Sequence, residues 1–297
     1  MEFFLQTTLN GVLMGSIYAL IGIGFVLIYK TGGFFNFAHG QMLVIGSCLA
    51  FYLSNMLELN FYLAVLLSMS FSMLLSVVFH RILSIEETHH KKLVIALMSL
   101  GIASIINGVM LMTPFGVEVF RFPSLFTQES LSFFGLIFST IQIFGALFAW
   151  FCLGCFLIIY NFTNIGLKFK AVFEDVIGAE LCGVSSSRMF RLSWVLTGIA
   201  TTIAGVIASL VSGMKIEVLA EMGVLTFPVI VLGGMDSIMG SVVGGILIGV
   251  CQQYCIAYLD QALSLRNSQS FIPYVFLVIM LLIKPHGLLG QKERSRV

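Results

Sequence analysis

The chain has 297 residues, of which 59% are hydrophobic and 10% charged, with a net charge of +1 and a mean hydropathy of +1.04. A soluble domain carries about 25% charged residues. A water-soluble globule is therefore excluded, and the chain reads as an all-α polytopic membrane protein. The charge balance gives no hint of a nucleic-acid partner. The start, Met1-Glu2-Phe3-Phe4, has neither a basic n-region nor a small-residue cleavage site, so no removed signal peptide is expected.

A span needs about 20 apolar residues to cross the hydrocarbon. Apolar runs predict spans at 9–29, 37–54, 61–83, 93–113, 136–160, 190–212, 238–258 and 271–284, with a shorter piece at 219–233. The total is eight or nine crossings, depending on whether the short piece spans or re-enters. No separate soluble domain is visible, so residues 1–297 form a single transmembrane domain.

Between the first two runs lies Gly32-Gly33-Phe34-Phe35-Asn36-Phe37-Ala38-His39-Gly40-Gln41. Asn, His and Gln are costly in hydrocarbon unless paired or facing a cavity. Asn36 is placed to cap the following helix, and a helix N-terminus near the membrane favours an anionic group. A capped surface turn with a hydrogen-bonded His39 accounts for the same residues. Further on, His89-His90 beside Glu86 and Glu87 fit a solvated basic loop better than a metal site. Residues 114–132, with two prolines, read as an external connector. The six cysteines fall mostly in apolar runs, and Cys152-Leu-Gly-Cys155 has no second ligand pair, so they read as packing residues.

Residues 166–191 are the charged exception. Lys168, Lys170, Glu174, Asp175, Glu180, Arg188 and Arg191 are seven of the 29 charged residues in the sequence. Phe169, Val172, Phe173, Val176, Ile177 and Leu181 recur at helical spacing and predict one short amphipathic helix. Gly183 is placed to end it, and Ser185 to Ser187 to cap the next. The segment is either an interfacial structural helix or a docking helix for a soluble motor. Near the end of the chain, Gly233-Gly234-Met235-Asp236-Ser237 repeats the pattern of the first break. An apolar run is followed by glycines, a polar capping pair and a helix rich in small residues. Gly240, Gly244, Gly245 and Gly249 are placed for close helix packing. Two Gly-rich broken elements, one in each half, are the mark of an internally repeated transporter and point to its binding site. The charge pattern orients both alike, whereas inverted repeats orient them oppositely, and the residues alone leave this open.

Lys and Arg mark the cytoplasmic side of a membrane protein. Clusters at 81–92, 168–191 and 284–296 therefore place the 166–191 segment and the C-terminus in the cytoplasm. There is no Gly-rich phosphate loop ending in Gly-Lys-Ser/Thr and no catalytic constellation.

At these residues the chain resembles the branched-chain amino acid permease family of ABC importers. The resemblance rests on Asn36-Phe37-Ala38-His39-Gly40, on Leu9-Asn10-Gly11 through Leu20, on Val231 to Ser237 with Gly240, and on Lys284-Pro285-His286-Gly287-Leu288-Leu289-Gly290. Glu174-Asp175, Ala179 and Gly183-Val184 resemble the loop that docks such permeases onto their ATPases. The resemblance implies a multi-pass subunit of a bacterial inner membrane, paired with a second permease subunit, two cytoplasmic ATPase subunits and a periplasmic substrate-binding protein. It implies no cofactor on this chain, ATP and Mg being held by the partners. It also implies that Asn36, Phe37, Ala38, His39, Gly40, Gln41, Gly233, Gly234, Asp236 and Ser237 line or shape the translocation path. Phe169, Ala171, Phe173, Glu174, Asp175, Ala179 and Gly183 are implied to meet an ATPase subunit. Gln41 and the run Lys170-Ala171-Val172-Phe173 depart from the usual pattern. Urea and short-amide permeases share the signatures and remain an alternative cargo class. An ion-coupled carrier is the competing class, but it usually places ionisable residues within spans, which are almost free of charge here.

Overall fold

The computed structural model describes residues 2–83, 92–116, 118–122, 130–133, 136–263 and 268–290. Glu86, Glu87, His89 and His90 lie outside the described residues. The long helices are α1 (Glu2–Gly32), α2 (His39–Phe51), α3 (Phe61–Leu83), α4 (Lys92–Leu111) and α5 (Thr140–Phe162). Two short helices follow, α6 (Asn164–Glu174) and α7 (Val176–Leu181), then α8 (Ser186–Ser212), α9 (Ile216–Gly233) and α10 (Ile238–Tyr254). A short α11 (Asp260–Leu263) and α12 (Ile272–Ile283) complete the set. Seven helices among the described residues are long and apolar enough to cross a membrane. α2 gains length from a π-helical turn at Tyr52–Met56, and α12 is a shorter apolar helix. The fold is that of an all-α polytopic membrane protein.

The piece at 219–233 is an 18-residue helix, α9, long enough to cross. The run expected to start at 136 begins differently. Leu136–Ser139 pairs antiparallel with Ser130–Phe133, and α5 starts only at Thr140. β-Branched and aromatic residues suit a strand as well as a buried helix, so a short apolar run does not choose between them.

α1 is the hub. Its most apolar window is 83% buried, against 22%, 17% and 22% for α3, α4 and α5, whose outer faces are left uncovered by the rest of the chain. It packs antiparallel to α10 along a seam of glycines. A Cβ built on Gly15 would sit 2.6 Å from the Cα of Ile246, and one on Gly245 would sit 2.6 Å from the backbone nitrogen of Ala19. Such spacing of small residues lets backbones approach and gains dispersion where lipid offers no hydrophobic drive. Gly244 faces the other way, toward Val229 and Gly233 of α9. The small-residue face of α10 is thus used within the chain. α8 is tied to α1 by polar bonds: the Thr197 hydroxyl donates to the carbonyl of Gly24 at 2.9 Å.

α9 and α10 form an antiparallel hairpin, and Gly22 of α1 lies beside both Ile230 and Ser241. α1 and α9 therefore run in the same direction, and the breaks that follow them lie at the same end of the bundle. Eight cations share that end: Lys30, Arg81, Lys92, Lys168, Lys170, Arg188, Arg191 and Lys284. Arg121 and Lys215 are the cations at the opposite end among the described residues. The opposite end is closed by an aromatic box in which the rings of Phe115, Phe120 and Phe122 surround Phe51 at 5.3–5.9 Å.

Candidate translocation path and coupling surface

The first break descends from the end of α1 back into the bundle before α2 begins. Asn36 is not the cap of α2. The capping position is Ala38, whose side chain offers no acceptor. Asn36 Oδ1 instead accepts from the Ala38 N–H at 3.1 Å, two residues on, an Asx turn that shapes the descent. A short side chain reaches its near backbone neighbours more readily than the helix beyond, which is why the sequence signal lies two residues early. His39 is buried and its Nε2 donates to the carbonyl of Ile21 at 3.0 Å. That bond fixes the tautomer and leaves Nδ1 a buried acceptor with no partner among the described residues. Gln41 Oε1 is in the same condition. Gly40 packs against Gly223 and the carbonyl of Ala220 in α9, where a Cβ would come within 3.1 and 3.2 Å of them, closer than ordinary van der Waals contact. Of the predicted path residues in this break, Asn36, Ala38, His39, Gly40 and Gln41 are buried within the chain, and only Phe37 is exposed, at 45%.

The second break follows the sequence expectation closely. Ser237 caps α10, its Oγ accepting from the Gly240 N–H at 3.0 Å. Gly234 takes a positive φ of 113°, which only glycine adopts without strain. Residues near the end of the described chain strap this break. The Leu288 and Leu289 N–H groups donate to the carbonyls of Leu232 and Gly233, each at 2.9 Å. These are carbonyls that the end of α9 would otherwise leave unpaired. Gly233 and Gly234 are buried, while Asp236 and Ser237 are half-buried. Asp236 and Glu174 both lie within electrostatic reach of Lys30 at the end of α1, so the second break, the hub helix and the charged segment meet at the basic end.

The charged segment is two helices, not one. Asp175 has extended backbone (φ −151°, ψ 105°), ends α6 and caps α7, its Oδ1 accepting from the Ile177 N–H at 3.2 Å. Aspartate favours such a cap over a helix interior, and the apolar period running through it conceals the break. The expected stripe divides accordingly. Phe169 and Val172 are buried and Phe173 is half-buried, stacked on Tyr160 of α5. Ile177 and Leu181 of α7 are 71% and 85% exposed. α6 is fastened to the bundle by Lys30 over the Phe173 ring at 5.1 Å and Lys170 over Tyr160 at 5.0 Å, cation–π contacts across three helices. Gly183 ends α7 at φ 80°, with Val184 N–H on Ala179 O and Gly183 N–H on Glu180 O, a Schellman arrangement. Ser185 stands at the cap of α8 without a capping bond, and Ser186 bonds Glu180 instead. Glu174 and Asp175 are exposed, Ala171 is half-buried and Ala179 is buried.

A polytopic bundle with two Gly-rich breaks and a fastened surface helix pair at its basic end is the architecture of a membrane permease. Comparison with known proteins carries this further. The family described as "Branched-chain amino acid transport system / permease component" matches residues 7–283, and the chain belongs to that family. It is 27% identical to the high-affinity branched-chain amino acid transport system permease protein LivH of Salmonella typhimurium, over 99% of this chain and 98% of that protein. It is 26% identical, with the same coverage of both proteins, to LivH of Escherichia coli and to BraD of Pseudomonas aeruginosa.

Proposed function

We propose that this chain is a translocation subunit of an ABC importer that moves branched-chain or related amino acids into the cytoplasm. The observation that carries the reading is the α6–α7 pair. It is fastened to α1 and α5 on one side and presents exposed apolar and acidic residues on the other. A permease that carried its own energy source has no use for such a surface. ATP is hydrolysed by two cytoplasmic subunits, one of which seats α6–α7, with Glu174 and Asp175 in polar contact. The chain itself is not an enzyme. The eight cations at one end support, by the positive-inside rule, a cytoplasmic side for that end, for α6–α7 and for the C-terminal segment, in a bacterial inner membrane. A second permease subunit completes the path, which the 36–41 and 233–237 breaks shape, and a periplasmic binding protein delivers the cargo.

The test is uptake of labelled leucine in cells with and without the gene. Uptake that needs the gene and ATP, and survives a protonophore, is the expected result. Gene-dependent uptake abolished by the protonophore while ATP is maintained overturns the ATP-driven reading. Urea uptake in place of leucine keeps the machine and changes the cargo.

A further inference from the structure

α3 and α5 both pack on α8, and between them they leave a crevice of about 550 Å³. Its floor is α8, where Val206 and Ile207 are buried. Its walls run from Phe61 to Met69 of α3 and from Ile141 to Phe148 of α5. α5 comes close to the floor at Gly145, where a Cβ would sit 2.9 Å from Ile207 Cγ2. Phe61 and Ile141 belong to the first turns of their helices, so the crevice lies in the half of the bundle away from the basic end. The rise from Phe61 to Met69 is about 12 Å. That is most of one leaflet of a hydrocarbon layer roughly 30 Å thick.

The chemistry and size of the crevice narrow what fills it. The lining is hydrocarbon and aromatic, with Tyr62 its one polar side chain. Ordered water needs several polar partners, which these walls do not offer, and a charged or polar cargo is excluded on the same ground. A helix with its side chains is about 10–12 Å across and fills roughly 900 Å³ over that depth, so the crevice is too small for one. At roughly 30 Å³ for each methylene, about the share of a water molecule in its liquid, the crevice holds about 18, which is acyl hydrocarbon from a single lipid. Left empty, the walls forfeit their dispersion contacts.

The rim carries a charge. Phe122 is buried with its ring 5.7 Å from that of Phe61. Phe120 is held by paired backbone hydrogen bonds to Met214, at 2.8 and 3.0 Å. Arg121 stands between these two anchored residues and is exposed. Its guanidinium is thus kept beside the mouth of the crevice, where it suits a phosphate. Tyr62, 72% exposed in the first turn of α3, is an aromatic residue of the kind that sits at headgroup level.

We propose that the α3–α5 crevice holds the acyl hydrocarbon of one anionic phospholipid, from the leaflet away from the basic end, with its phosphate at Arg121. The lipid is a resident spacer that keeps α3 and α5 apart on α8.

The experiment uses the intact importer, solubilised and washed with detergent before irradiation. Photoreactive benzoylphenylalanine is placed at Leu66 on the crevice wall or at Leu97 on α4, which are 59% and 58% exposed. Leu66 is expected to crosslink phospholipid at least fivefold more than Leu97, although the two are equally open. Val65→Trp, which fills the crevice, is expected to lower the Leu66 crosslink at least fivefold. When phosphatidylglycerol or phosphatidylethanolamine is added back in mixed micelles, the unaltered chain is expected to favour the first at least threefold. Arg121→Gln is expected to remove that preference. Equal lipid crosslinking at Leu66 and Leu97 overturns the proposal, with no dependence on how the Val65→Trp variant folds. Capture of the second permease subunit from Leu66 also overturns it, because the crevice is then a subunit interface. A preference for phosphatidylglycerol that survives Arg121→Gln overturns the assignment of the phosphate to Arg121.

Discussion

At the residue scale the glycines divide by what a side chain would meet. Gly245 faces the backbone of Ala19 and Gly15, whereas Gly154 has open space around it. Gly245→Leu is expected to force α1 and α10 apart and to destabilise the chain by about 3 kcal/mol, the upper part of the range for overpacking. Gly154→Ala is expected to be neutral or to stabilise by about 0.5–1 kcal/mol, since a helical glycine gives up more backbone entropy than alanine. Thermal unfolding of both variants in detergent checks the contrast, and similar midpoints would show that the glycine seam is not tight. Ser237→Ala removes a cap and is expected to cost about 1 kcal/mol in the same measurement. The glycine spacing was legible in the sequence because small residues four apart share one helix face. The partner of that face was not, because α1 is more than two hundred residues away and nothing local encodes it. Asn36 shows the same limit on a smaller scale: its type announces a local hydrogen bond, but not which N–H receives it.

The two short helices α6 and α7 act as one element with a joint. α6 is held to α1 and α5 by aromatic and cation–π contacts, and on the proposed function this is the route by which motion imposed on α7 reaches the hub helix. Glu174→Lys reverses an exposed charge without disturbing buried packing. It is expected to abolish transport while leaving the amount of inserted protein unchanged, by membrane fractionation and uptake. Normal uptake in this variant would remove the docking role. Asp175→Ala removes the cap of α7 and allows α6 and α7 to run on as one helix, which is expected to lower uptake several-fold with insertion intact. The charge and amphipathicity of this element were plain in the sequence. The joint was hidden because the apolar period runs on across Asp175, and a period reports a face, not continuity of backbone hydrogen bonds.

For the whole molecule, the distribution of Lys and Arg announced which helix ends lie together more clearly than apolarity gave the limits of the crossings. The run at 136 turned into a strand and then a helix, yet the described residues of the basic clusters all lie at one end. Cys182 is exposed on the helix turn at that end, while the other cysteines are buried or half-buried. A membrane-impermeant maleimide is therefore expected to label Cys182 in inside-out vesicles and not in intact cells, and labelling of intact cells would invert the assigned orientation. The strap at Leu288 and Leu289 adds a matter of timing. Synthesis runs from the N-terminus, and these residues leave the ribosome after every helix described here. The α9–α10 break thus waits for its last hydrogen bonds until translation has passed residue 289. A nascent chain stalled before that point holds the carbonyls of Leu232 and Gly233 without their Leu288 and Leu289 donors, so the second break is the last part of the bundle to be finished.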